Sequence, residues 1–153
     1  MAVARSPMIV ITAVLFLALP SARTQTQSQD IKVELDQEHL ALHVTVSSGA
    51  SSVVTFWKWQ LPWGNANSMI LVAVTRNKEY VDRNLFIDDP TPERISMQPN
   101  ESLSGDVSLE KAFTGLDAAL KKSDVHLFWA YKAPEELRIP RWSGGWILIP
   151  KKK

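Results

Sequence analysis

The chain contains no cysteine. That excludes disulfides, a thiolate nucleophile, an iron–sulfur cluster and a cysteine zinc site. It also excludes a lipid anchor on an N-terminal cysteine. Charge of one sign is not in surplus either. The 17 Lys and Arg face 16 Asp and Glu, a formal charge of +1, whereas a nucleic-acid binder carries a marked basic excess. A Gly-x-Ser-x-Gly elbow, a phosphate loop and a His-Glu-x-x-His pair are all missing from the sequence. The 153 residues allow one domain and fall short of the ~250 of a barrel enzyme.

No long apolar run is present, but one short run is. Met8 to Leu19 is free of charge for twelve residues. That matches the apolar core of a secretory signal peptide and falls short of the ~20 residues that span a bilayer. Arg5 precedes it and Pro20-Ser21-Ala22 follows. Residues 1–22 therefore read as a signal peptide cleaved after Ala22, although Pro20 fits the −3 position poorly; the alternative is an uncleaved anchor. Removing 22 residues from 153 leaves 131, and without Arg5 16 basic residues balance 16 acidic ones. The expected location is secreted or periplasmic, with no stable membrane insertion after cleavage. Residues 23–30 (RTQTQSQD) are polar and read as a flexible lead-in. The body spans 31–150, and 151–153 form a basic tail read as a solubilising end.

The body is a series of short β-patterned runs. Ile31 to Leu35 alternates with period two, and Leu40, Leu42, Val44 and Val46 share one face of the next run. Val53 to Gln60 is β-branched and aromatic. Ser68 to Arg76 is apolar through six residues, as in a strand buried on both faces. Glu79 to Val81, Ile95 to Met97, Ser102 to Leu109, Val125 to Tyr131 and Trp146 to Ile149 complete the set. Gln98-Pro99-Asn100-Glu101 reads as a turn, and Trp142 to Trp146 as another around Gly144-Gly145. One short helical excursion is expected near 110–121, capped by Ser108 and weakened by Gly115 and Asp117. About seven to nine strands with regularly spaced turns predict an all-β fold, an immunoglobulin-like antiparallel β-sandwich. Without a disulfide, aromatic side chains must supply more of its core.

Candidate chemistry is sparse. His39 and His43 sit four apart in an alternating run, about 13 Å along a strand, too far to share one zinc. Asp88-Asp89 and Glu135-Glu136 are adjacent carboxylates, read as solvated turn formers. A calcium site from Asp82, Asp88 and Asp89 lacks the spaced ligands of a calcium loop. Asn100-Glu101-Ser102 matches a glycosylation sequon, which matters in a eukaryotic host. No cofactor or metal is expected.

Tryptophan is the unusual residue, with six copies. Trp57 and Trp59 share one face of their run, either an aromatic platform or, with Val53 and Thr55, the core face. Trp63 and Trp142 lie in or beside Pro/Gly loops, where binding residues concentrate. Trp59, Trp63, Trp142 and Trp146 are therefore the candidate partner or ligand site.

Val54 to Pro62, followed by Asp89 to Ser104, Asp106 to Leu109 and Phe128 to Tyr131, resembles the N-terminal β-sandwich of secreted peptidyl-lysine metallopeptidases of the deuterolysin group. The likeness covers roughly residues 31–149. It implies an exported immunoglobulin-like sandwich and a link to proteolysis. That family's protease domain has no counterpart in these residues, and Asn100 replaces a turn glycine. The expectation is a non-enzymatic interaction protein. Its partner would be a protein, such as a protease or an envelope protein; the alternatives are a carbohydrate-binding module and a structural envelope role.

Overall fold

The computed structural model describes residues 30–85, 92–139 and 142–152. The signal-peptide reading, most of the lead-in, Asp88, Asp89 and Lys153 lie outside the described residues. Among the described residues, nine strands form three antiparallel sheets. They are β1 (Ile31–Asp36), β2 (Ala41–Ser47), β3 (Val54–Trp57), β4 (Met69–Thr75), β5 (Tyr80–Val81), β6 (Arg94–Met97), β7 (Ser102–Ser108), β8 (Val125–Tyr131) and β9 (Ser143–Ile149). The sheet orders are β1-β2-β7, β3-β6 and β5-β4-β8-β9. An immunoglobulin sandwich lettered A to G along the chain places A, B and E in one sheet and C, F and G in the other. Strands β1, β2 and β7 and strands β4, β8 and β9 reproduce that division, with β3 inserted and paired to β6.

Alternation decides which residues go inside. Ile31 and Val33 of β1 and Leu42, Val44 and Val46 of β2 are buried, while Lys32, Glu34 and His43 point out. From the other sheet come Met69, Leu71 and Ala73, then Val125, Leu127, Trp129 and Tyr131. Phe56 and Phe113 join this single core, so four aromatics fill the space between sheets that no disulfide bridges.

The structure corrects several sequence expectations. Strand β4 is buried on one face only; Ile70 is exposed, and Val72 and Val74 are half-covered, because none of the described residues forms a further layer over the sheet. The run from Val53 has the opposite phase to the core reading: Phe56 is buried, whereas Val53, Thr55 and Trp57 face outward. The strand ends at Trp57, and Lys58–Gln60 forms a 3₁₀ turn, so Trp57 and Trp59 do not share a strand face. His39 is not in a strand. It sits in the β1–β2 turn beside Leu40, whose φ is 45°, and its ring bonds Asp36 at 2.8 Å. Gly144 and Gly145 lie inside β9 rather than in a turn. A Cβ on Gly144 would come within 2.8 Å of the Trp129 carbonyl oxygen, so a side chain there would push the two strands apart.

The helical excursion is two helices, α1 (Leu109–Ala112) and α2 (Leu116–Leu120). Ser108 caps the first as expected, its Oγ accepting from the Lys111 N–H at 3.3 Å. Gly115, at φ 78°, makes the break. The 98–101 turn also forms as read: the Glu101 N–H donates to the Gln98 carbonyl at 3.1 Å, with Asn100 at φ 60°.

The basic tail is docked through residue 152. The Lys152 N–H donates to the Leu120 carbonyl at 2.9 Å, and its ammonium meets Asp117 at 2.5 Å. Lys121, then Lys152, hold the Asp117 carboxyl down at about 2, below its ordinary 3.8. A depressed carboxyl stabilises the fold above its unfolded value and loses that contribution as pH falls through its folded one. The tail should therefore stay docked at pH 5 and detach toward about pH 2. Amide exchange at Lys152 is the measurement: protection at pH 5 should vanish at the acid end, while that of β8 persists.

Candidate functional site

The two large sheets present very different outer faces. On the β1-β2-β7 sheet the cross-strand partners are polar. His43 bonds Asp106 at 2.8 Å and Thr45 bonds Ser104 at 2.8 Å across β2 and β7, and Lys32 pairs with Glu34 along β1 at 2.8 Å. That face is ordinary solvated sheet. Strands β4, β8 and β9 contain no Asp, Glu, Lys or Arg. Their register lines up Ile70, Ala130 and Gly144, then Val72, Phe128 and Trp146, then Val74, His126 and Leu148. Tyr80 of β5 stands opposite Val74. The Phe128 and Trp146 rings meet at 5.2 Å in a tilted contact. Ile70, Trp146 and Leu148 remain 45%, 53% and 51% exposed. The face is thus apolar and partly exposed, unlike that of the β1-β2-β7 sheet.

The second feature is a groove of ≈ 770 Å³ where β4 begins and β8 ends. Trp59, Asn65, Asn67, Lys132, Glu135 and Glu136 line it. Trp59 stands on the 3₁₀ turn and is 39% exposed. The turn is pinned on three sides. The Tyr131 hydroxyl donates to the Gln60 carbonyl at 2.9 Å, Ser68 Oγ to the Trp59 carbonyl at 2.7 Å, and the Trp57 N–H to Gln60 Oε1 at 2.9 Å. On the facing wall, the Asn67 N–H donates to Asn65 Oδ1 at 2.7 Å. Arg83 fastens this loop from below, donating to the Met69 and Ala66 carbonyls at 2.8 and 3.2 Å; its partial burial lowers the guanidinium somewhat. Burial pushes the Tyr131 phenol well above its ordinary value, so the donor proton stays in place across the physiological range.

The four candidate tryptophans do not form one site. Trp59 lines the groove. Trp63 is half-buried against Gly105 of β7, where an added Cβ would meet its ring at 2.3 Å, and it borders a separate hollow beside Asp106 and Lys111. Trp146 is on the apolar face, and Trp142, 56% exposed, lies just before the Tyr131–Ser143 pair that starts the β9 ladder. Strand β9 borders β1, while β7 closes the other side of the first sheet, so Trp63 and Trp146 belong to opposite edges. Trp57 carries the Arg94 guanidinium over its ring at 5.1 Å.

Sequence reading passed over four residues of these two surfaces. Ile70 lies in a run that reads as buried on both faces and Leu148 in a run given no outward face, and only the sheet packing leaves them 45% and 51% exposed. Asn65 and Asn67 looked like plain loop residues; the fold brings them into the same groove as Trp59. Among the described residues no three of His, Asp and Glu gather into a metal cluster, and no helix is long and apolar enough to cross a membrane.

Comparison with protein-family models, with curated proteins and with solved structures finds no significant match.

Proposed function

We propose that this chain is an exported, non-enzymatic binding protein whose protein partner docks on the outer face of the β5-β4-β8-β9 sheet. The observation that carries the reading is that face: strands without a formal charge, and three large apolar side chains about half exposed. Water leaves such a surface at little cost, and about 25 cal/mol is gained per Å² of apolar area covered. Aromatic anchors such as Trp146 dominate interface energetics. The apolar run Met8 to Leu19 supports export, and the resemblance to a protease-associated sandwich favours a protease or an envelope protein as the partner.

The test is a pull-down from the native extracytoplasmic fraction with the parent protein and a Trp146→Lys, Leu148→Lys double variant. Both substitutions replace outward side chains, so the melting temperature should move by only a few degrees. The expected result is one protease or envelope protein held by the parent and depleted at least about tenfold by the variant. Equal retention by both proteins would remove the face from the reading.

A further inference from the structure

The groove at Trp59 has a different chemistry from the apolar sheet face. We infer that it is a saccharide site, taking one or two sugar units of a neutral oligosaccharide against the Trp59 ring. Its ≈ 770 Å³ lies within the ~300–1,000 Å³ of small-ligand sites.

A pyranose has two kinds of surface, and the groove offers a complement to each. The flat C–H face of the ring stacks on an aromatic π-face, and Trp59, 39% exposed, lines the groove. The rim of hydroxyls donates and accepts hydrogen bonds in the same plane. Asn65 and Asn67 supply amides that both donate and accept, and Glu135 and Glu136 supply acceptors. Two carboxylates against the single ammonium of Lys132 leave the lining net acidic. That disfavours uronic acids, phosphates and sulfates, which would bring further negative charge. The lining mixes these polar groups with Trp59, Ala133 and Pro134, and an acyl chain would strip the amides and carboxylates of water without replacing their hydrogen bonds.

The lining is also preformed. The Trp59 and Gln60 carbonyls, the Trp57 N–H and the Asn67 N–H all have partners within the protein. A ligand therefore need not order the turn to bind, which suits the modest affinity of a single stacked sugar.

Titration of the purified protein with neutral tri- to hexasaccharides tests the inference, using β-1,4-glucan, xylan, mannan and chitin fragments, with oligogalacturonate as the acidic counterpart. Calorimetry would read affinity, and proton–nitrogen spectra would read which tryptophan indole moves. The expected result is submillimolar binding of one neutral series, with the Trp59 Nε1–H shifted and the Trp146 signal still. Oligogalacturonate should bind at least about tenfold more weakly. Trp59→Ala should weaken binding about tenfold or more. Asn65→Asp keeps the acceptor that holds the Asn67 N–H but removes an amide donor and adds charge; it should cost several-fold and needs no rebuilding of the turn. Trp146→Lys, Leu148→Lys should bind the sugar like the parent, which separates this site from the sheet face. Silence of every neutral series up to about 10 mM would overturn the assignment. So would binding unchanged in both Trp59→Ala and Asn65→Asp.

Discussion

Tyr131→Ala should be among the most damaging single substitutions, costing about 4 kcal/mol or more. Two losses combine. The Tyr131 ring is wholly buried in the shared core, and truncating a buried aromatic to alanine typically costs ~3–5 kcal/mol. The hydroxyl donates to the Gln60 carbonyl at 2.9 Å, and removing it strands that acceptor, worth roughly 1–3 kcal/mol. A domain of this size has about 5–15 kcal/mol of total stability. The variant should therefore be close to unfolding at room temperature, and its urea midpoint should collapse. Tyr131→Phe separates the two contributions. It keeps the ring, so it should lose only about 1–2 kcal/mol with an unchanged urea slope. It should also loosen the Trp59 turn, because the bond it removes ties that turn to β8. A Tyr131→Phe variant as stable as the parent would show that the hydroxyl does not hold the turn.

How far the sequence could be read depends on what each pattern reports. Period-two alternation reports a strand with two unlike faces, so β1 and β2 were legible: Lys32, Glu34 and His43 mark the wet side. The Ser108 cap and the Pro99-Asn100 turn were legible because their chemistry is local. The pattern fails where both faces are apolar or aromatic. In Met69–Thr75 every residue is apolar until Thr75, and only the packing of the sheet, which buries Leu71 and leaves Ile70 exposed, distinguishes the two. In Val53 to Trp59 tryptophans outrank Phe56 in size. Yet Phe56 goes inside, because the pairing of β3 with β6 sets the phase. Gly144-Gly145 has turn composition, but Gly144 answers a close approach between strands that no local rule reports.

The candidate site shows the same division. Picking tryptophan for its composition identified Trp59 and Trp146, which the fold places on two surfaces of different chemistry. It also picked Trp63, whose ring is used to cover Gly105. A count of aromatic residues cannot tell a side chain that covers the core from one that awaits a partner. The neighbours decide: amides and carboxylates around Trp59, uncharged β-branched and aromatic residues around Trp146, and a strand glycine beneath Trp63.

Gly64→Ala is the second substitution with a large expected effect, and it connects the fold to the groove. A Cβ at this position would lie 2.0 Å from the Lys58 carbonyl oxygen and 2.9 Å from both the Lys58 carbonyl carbon and the Trp59 Cα. All three are backbone atoms, so no side chain can swing aside. The turn must separate from the loop that follows it. That strains the Leu61 N–H bond to the Lys58 carbonyl at 3.0 Å and the Gly64 N–H bond to the Leu61 carbonyl at 2.9 Å. Replacing glycine by alanine restricts the unfolded chain and returns only about 0.4–1 kcal/mol. Overpacking against fixed backbone outweighs it, and the net loss should be about 3 kcal/mol or more, a melting temperature lower by roughly 10 °C. Gly49→Ala is the control: its added Cβ would sit 3.4 Å from the Arg138 and Leu137 carbonyl oxygens, and it should cost less than about 1 kcal/mol. The displaced turn carries Trp59. Gly64→Ala should therefore abolish saccharide binding at temperatures where the protein is still folded, while Gly49→Ala preserves it. A Gly64→Ala protein that melts with the parent would mean that the 58–64 segment accommodates a side chain and that the groove is not rigid.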